Sequence, residues 1–479
     1  MKYKHALFLN PYVENTATSI MGLFPPTGLE YVATSAKGLV EKLTLLDLRY
    51  EKELCRTDKL IDFIKREIDI VCVGIGWDRQ FKEILELINL LPGNIPIVLG
   101  GYKATEQVEE IFRVCPKVDI IVRGEGEETI KEILNDKPLH SILGISYRGG
   151  NGVVHNEHRP LADVNKITPP DRSMRRNKYR MRLGTINVTN LTFDSILSAR
   201  GCPFNCKFCT FSLNPLGQKR RYAARSVNSV IGEIEGINAN TILFSDDNFF
   251  TDAGRAEDIC DLIIARGIKK RFIAQARIEV ANHPALLEKM TKAGFKLLLI
   301  GIESPHDRIL KQLNKGFDIK AVRKAFSVLV KYPIYYHGYF IYGNIGETEE
   351  EMLCISGFAR EIRVDSITFQ KLRIEKFSPL REVALKTKGY HVTPRGELYS
   401  DTYSHAALKK IGRKIKFSFY TPLTICRILK KFIVMKFFTF GEIMSFVKAS
   451  PRLLRSVILR EIEKNRLRDT LRRIFVSNA

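Results

Sequence analysis

The sequence predicts an α/β chain built from two successive parallel-sheet domains and a mostly helical C-terminal region. Three observations carry that expectation. Apolar runs of strand length alternate with amphipathic helical patterns over residues 1–150 and again over 191–375. Many of these runs are continuously apolar, as strands covered by helices on both faces require. Between the two halves lies a stretch dense in Gly, Pro and charge, residues 151–190, which reads as a surface linker.

In the first half the strand-like runs are Ala6 to Leu9, Leu43 to Leu46, Ile68 to Ile75, Ile95 to Leu99 and Val118 to Val122. Leu29, Val32, Ala33 and Ala36, and later Phe81, Ile84, Leu85 and Ile88, recur at helical spacing between them. Ligands of such doubly wound sheets sit at the carboxyl ends of the strands. Those ends carry Gly74-Ile75-Gly76-Trp77, Gly100-Gly101-Tyr102 and Arg123-Gly124-Glu125-Gly126-Glu127. Glycines there let a ligand approach the backbone, and the helix N-termini that follow suit phosphate. Gly74, Gly76, Gly100, Gly101, Gly124 and Glu125 are therefore the candidate binding positions of this domain. The alternative is that the glycines only make tight strand-to-helix turns.

The second half opens with a loop, Ser198 to Phe211, in which Cys202, Cys206 and Cys209 stand at the spacing C-x3-C-x2-C. Three thiolates this close can reach one small metal centre. A tetrahedral zinc or a fully ligated iron–sulfur cubane takes four protein ligands, and no fourth cysteine or histidine follows nearby. A cubane on three cysteines keeps one iron open for a small molecule. Three clustered core cysteines are the bland alternative, which Gly201, Pro203 and Asn205 disfavour because they make the segment a turn-rich loop. Strands are expected at Ser195 to Ala199, Thr241 to Ser245, Arg271 to Ala276, Leu297 to Ile302, Tyr335 to Ile341 and Ser366 to Gln370, with Ser226 as a helix N-cap. Six such units make a full or partial α/β barrel with its active residues at the carboxyl ends of the strands. Asp246, Asp247, Asn248, Gln275, Arg277 and Glu303 fall at those ends, although Arg277 has a local partner in Glu279.

The remainder, residues 376–479, is expected to be basic and mostly helical. From His405 onward it holds eighteen Lys or Arg against four acidic residues, a net of about +14 within a chain of +23. Ile425, Ile428, Leu429, Phe432 and Ile433 recur at helical spacing among basic residues, a pattern suited to anionic lipid headgroups or to a helix packed on the barrel. No run is long and apolar enough to span a membrane. Nine cysteines without a secretory signal point to a reducing compartment, hence to a cytoplasmic location, peripheral at the inner membrane face.

Pro25 to Ala33, Val98-Leu99-Gly100-Gly101 and Arg123 to Glu127 resemble the Rossmann-like cobalamin-binding domain that precedes the radical SAM domain in one large enzyme subfamily. The cysteine loop, with aromatic Phe208 before its last cysteine, resembles the radical SAM superfamily, whose domain is a partial (β/α)6 TIM-like barrel. The resemblance implies that Cys202, Cys206 and Cys209 hold a [4Fe–4S] cluster, that S-adenosylmethionine (SAM) chelates its open iron, and that cobalamin is a second cofactor. Asp246-Asp247-Asn248 stand where the family contacts the SAM amino group, and Gln275, Arg277 and Glu303 where relatives meet its carboxylate or ribose. The first domain departs from many cobalamin proteins in lacking a D-x-H-x-x-G loop, so a histidine from it is not expected on cobalt; Trp77 is placed to pack on the corrin. Gly343 to Thr348 resembles the family's G-x-P-G-E-T turn, with Ile345 in place of proline.

The implied function is formation of a 5′-deoxyadenosyl radical followed by C-methylation of an unactivated carbon in a lipid-like or other natural-product substrate. In that scheme a second SAM methylates cobalamin, and flavodoxin or ferredoxin supplies electrons. Radical cyclisation, coupling or rearrangement without methyl transfer is the alternative within enzymes. A non-catalytic cobalamin- or cluster-binding protein recruited to membranes is the alternative outside them. A tRNA methylthiotransferase is disfavoured, since Cys55, Cys72 and Cys115 lack a second cluster motif and the tail is not a β-barrel pattern; nucleic acid is accordingly not the expected partner.

Overall fold

The computed structural model describes residues 2–13, 23–76, 80–150, 152–183, 186–209 and 214–451; Trp77, the end of the cysteine loop (Thr210, Phe211) and the tail beyond residue 451 lie outside them. The first sheet has seven strands in the order β2-β1-β3-β4-β5-β6-β7: β1 (His5–Asn10), β2 (Lys42–Asp47), β3 (Ile70–Gly74), β4 (Ile97–Gly100), β5 (Ile120–Val122), β6 (Ile145–Gly149) and β7 (Gly152–His155). The first five are parallel, and β6 and β7 add an antiparallel hairpin at one edge. Successive side chains enter two different helix-covered cores. Leu7, Leu9, Val71 and Val73 face one of them, and Ala6, Phe8, Ile70 and Cys72 the other. That is why these runs carry no polar alternation. The strand order reverses between β1 and β3, which places the crevice of a doubly wound sheet beside Gly74 and Gly76.

The second sheet runs β16-β15-β14-β13-β12-β9-β8. An antiparallel edge strand, β8 (Arg180–Leu183), leads into β9 (Ile186–Ile196). The two-residue strands β10 (Ala199–Arg200) and β11 (Ala223–Ala224) pair across the base of the cysteine loop. Then come β12 (Thr241–Phe244), β13 (Arg271–Ala276), β14 (Phe295–Glu303), β15 (Tyr335–Tyr342) and β16 (Ser366–Lys371), all parallel to β9. Each βα unit lies beside its predecessor and the last strand does not pair with the first, so the sheet curls into a half-barrel. Phe244, Phe249, Phe272 and Phe295 pack between sheet and helices, with ring centroids 4.3–5.8 Å apart.

The stretch expected as a draped linker behaves differently. Arg175 reaches Glu30 of the first domain at 2.7 Å and Asp194 of β9 at 2.6 Å, and Arg172 joins Asp194 to Glu233. Glu30, Asp194 and Glu233 have almost no exposed side-chain surface, so their charges require these guanidinium groups and draw the segment inward.

After the barrel, a hairpin of β17 (Tyr390–Val392) and β18 (Leu398–Ser400) precedes the helix His405–Phe419. That helix buries Leu408, Ile411, Ile415 and Phe419, and its Ile415 carbonyl accepts from Ser356 Oγ on the helix Glu349–Glu361. The helix Pro422–Val434 and a further helix over 440–451 then pass beneath the amino ends of the barrel strands. Among the described residues no helix is long and apolar enough to cross a membrane.

Candidate active site between the two sheets

The cysteine loop is held open by its flanks. Gly201 has φ +85°, and a Cβ there would lie 2.4 Å from the Arg221 carbonyl oxygen. Its amide donates to Asp247 Oδ2 at 3.0 Å, and Ser198 donates through its amide (2.7 Å) and hydroxyl (2.5 Å) to Asp246. Lys207 donates its amide to the Leu313 carbonyl, while its own carbonyl accepts from Ser378 Oγ. Burial first, then for Asp247 the neighbouring Asp246 charge, lifts both carboxyls to about 6 against the bonds they accept. The aspartates expected to meet the SAM amine thus also tie the ends of β9 and β12 to the loop.

Beneath the loop Arg277 stacks its guanidinium 3.7 Å from the Phe204 ring centroid and brings Nη1 to 3.5 Å from Cys206 Sγ. It also pairs with Glu279 at 2.9 Å, the local partner visible in the sequence, and donates to the Lys315 carbonyl. Lys315 and Glu303 form a buried ion pair at 3.1 Å, with the ammonium 5.8 Å from the Phe208 ring centroid. Glu303 holds φ +72°, a left-handed conformation at the end of β14 that aims its carboxylate at Lys315. Asn248 Oδ1 is buried with no partner among the described residues, and Gln275 is half-buried at the end of β13. Lys315 was not anticipated, because it lies in the turn after a helix and not at a strand end.

On the facing rim Gly101 is required for a steric reason, since a Cβ would sit 2.6 Å from the Ile75 carbonyl oxygen. Gly74 packs against Leu29, and Gly100 meets Val122 at ordinary contact distance. Gly124 has φ +83° and approaches Leu216, whereas a Cβ at Gly76 would meet nothing within 4 Å among the described residues beyond its chain neighbours. Glu125 accepts twice from Arg220 at 2.6 Å, from Arg200 at 3.1 Å and from the Ala162 amide at 2.8 Å. Glu127 takes the other arm of Arg200. Glu125, expected as a ligand contact, is thus occupied in bridging the first domain to the base of the cysteine loop.

Between the two rims lies a narrow cleft, with Tyr102 and Glu106 on one side, Cys206 and Cys209 on the other, and Glu375 and Phe377 closing its end. Burial and the neighbouring Glu106 push the Glu375 carboxyl upward. Against its own burial, bonds from Glu375 and Lys103 hold Glu106 below its usual range. Reading the end of the sixth barrel strand, just before Glu375, would have pointed to this group.

The donor set is chemically that of an iron–sulfur cluster, three soft thiols on one short loop with the Arg277 guanidinium beside Cys206, although among the described residues no three His, Cys, Asp or Glu side chains, these thiols included, already stand grouped around a metal position. Cobalamin fits the glycine-bearing rim, where among the described residues nothing crowds Gly76. His5, at the amino end of β1, bonds Thr44 and is far from that rim in the strand's own direction.

Two family models match the chain, the radical SAM superfamily over residues 196–355 and the B12 binding domain over residues 16–134. An uncharacterized methyltransferase of Pyrococcus horikoshii is 31% identical over 391 residues, covering 77% of this chain and 80% of its own. An anaerobic magnesium-protoporphyrin IX monomethyl ester cyclase of Cereibacter sphaeroides is 24% identical over 380 residues, covering 72% of this chain and 58% of its own. In fold, the chain matches the radical SAM methyltransferase TsrM of Kitasatospora setae, solved with cobalamin and a [4Fe–4S] cluster bound, at a TM-score of 0.67 and 16% identity over 88% of this chain and 89% of that one.

Proposed function

The chain belongs to the cobalamin-binding radical SAM enzymes, and on that premise we propose that it methylates an unactivated carbon of a lipid-like or other natural-product substrate. The observation that carries the reading is the shared cleft, in which Tyr102 and Glu106 of the cobalamin-type rim face Cys206 and Cys209. When bound, the cluster with SAM supplies the 5′-deoxyadenosyl radical and cobalamin supplies the methyl carrier. The chain's own residues do the rest. Asp247 and Asp246 hold the loop and present carboxylate oxygens to a cationic amine; Gln275, Arg277 and Glu303, with Asn248, offer polar contacts to the remainder of SAM. Phe208, packed beside Ile309, Leu313 and Ile345, keeps water from the loop. Glu106 and Glu375, hydrogen-bonded to each other, line the cleft as polar groups for substrate. A flavodoxin or ferredoxin serves as the one-electron donor in this reading.

Anaerobic reconstitution with methyl-labelled SAM, a reductant and a membrane lipid extract, with and without cobalamin, tests it. We expect 5′-deoxyadenosine in both cases and labelled lipid only with cobalamin. Label confined to the aqueous phase removes the lipid assignment. The cyclase relative favours one second reading, radical cyclisation without methyl transfer; 5′-deoxyadenosine formed with no methyl transferred to any product would select it.

A further inference from the structure

The two last described helices carry their amphipathicity the wrong way round for a water-exposed protein. On the helix Pro422–Val434 the side turned to the barrel holds Thr424, Arg427 and Lys431 together with Ile428 and Phe432. Arg427 donates to the Val364 carbonyl at 2.7 Å, Lys431 pairs with Asp365 at 2.5 Å, and only Phe432 adds an aromatic stack, on Tyr335. The outward side holds Leu423, Ile425, Leu429, Ile433 and Val434, of which Leu423 is 84% and Ile433 76% exposed.

The helix over 440–451 repeats the pattern. Glu442 turns inward to Arg271 at 2.7 Å and Ser445 to Asn190, while Phe440, Ile443, Met444, Phe446 and Val447 face out. Phe440, Ile443, Met444 and Val447 follow i, i+3, i+4, i+7 spacing, so the outward face is one continuous apolar stripe. A stripe of this size left in water marks a partner.

Charge says which partner. Lys416, Lys430, Lys436 and Lys448 are exposed around and within the two stripes, and among the described residues they make no ion pair. Position agrees with charge. The inward contacts fall on Arg271, Lys296, Tyr335 and Asp365, at the amino ends of β13 to β16, so the stripes cap the end of the barrel opposite the cysteine loop. Two copies meeting through this face would bring like charges together on chains of +23 each.

We propose that the outward faces of Pro422–Val434 and of the helix over 440–451 form one peripheral docking surface for an anionic lipid bilayer. The apolar stripes enter the boundary between headgroups and acyl chains, and the lysines meet the acidic headgroups. Attachment by the barrel's amino end leaves the cofactor rim and the domain facing it clear of the membrane. The proposal goes beyond the methyl-transfer reading and does not depend on it.

Sedimentation of the full chain with phosphatidylcholine vesicles, with and without phosphatidylglycerol, tests it. Binding is expected only with the anionic lipid and should weaken as salt rises. Ile433→Asp with Val447→Asp should weaken it by at least about tenfold, as should Lys430→Glu with Lys436→Glu. Reductive cleavage of SAM in solution should be unchanged in both variants, because neither pair touches the cofactor cleft; that readout also keeps a failure here separate from a failure of the proposed reaction. A full chain indifferent to anionic vesicles overturns the proposal, whether residues 452–479 cover the stripes or a concentration-dependent dimer does. Equal binding of wild type and the aspartate pair overturns it as well.

Discussion

At the scale of single residues, Gly201 is the position least open to change. Its positive φ and the Arg221 carbonyl behind it exclude any side chain, so Gly201→Ala should displace the cysteine loop. We expect reconstituted iron and sulfide to fall to the level of Cys206→Ala, measured by metal analysis and the cluster's visible absorbance, while the far-ultraviolet circular dichroism stays native-like. His337 makes a different prediction. Its two ring nitrogens bond Ser366 Oγ at 2.7 Å and Thr368 Oγ1 at 2.9 Å, and burial lowers its pKa from 6.5 to about 4. The unfolded chain therefore takes up this proton first. The stability the neutral ring contributes is complete above about pH 6.5 and is lost as pH falls towards 4, about 2 kcal/mol between pH 7 and pH 5. Denaturant titrations at the two pH values should show that difference, reduced in His337→Gln.

At the scale of elements, the helix Glu349–Glu361 starts with a capping box in which Thr348 and Glu351 satisfy each other's backbone amides. Thr348→Ala should lower unfolding stability by about 1 kcal/mol, read by urea denaturation. Strand and helix positions of this kind were legible from the sequence to within a few residues, because an apolar run with a cap at its end is local information. β13 falls on the residues the pattern marks, and β15 and β16 extend it by one each. β9 is the exception: it begins well before Ser195, since its first half is an antiparallel partner of β8 and does not belong to the parallel pattern. The segment around Arg172 and Arg175 was illegible for another reason. Dense basic residues resemble a solvated linker unless the buried Glu30, Asp194 and Glu233 they answer are known to be near.

At the scale of the whole molecule, the relation of the two sheets matters most, and Glu125, Glu127, Arg200 and Arg220 span it. Because Arg200 lies two residues before Cys202, the bridge sets where the cysteine loop stands against the glycine rim. Glu125→Gln should leave cobalamin and iron contents near wild type but lower the ratio of methylated product to 5′-deoxyadenosine several-fold, measured by chromatography of both. A proportional loss of cobalamin instead would assign Glu125 to cofactor binding.

By itself the sequence determined the two runs of alternating strands and helices, the glycine-bearing strand ends, the three thiols on one loop and the excess of positive charge in the tail. Each of these is carried by spacing or composition over a few tens of residues. Tertiary structure alone decided that Glu106 and Glu375 share a cleft, that Glu125 turns to the cysteine loop, and that the tail's helices show their apolar sides outward. The physical reason is common to all three. Periodicity establishes that a helix has two unlike faces or a strand end a free carboxylate, but which face is buried, and which distant charge answers the carboxylate, depends on neighbours many tens of residues away.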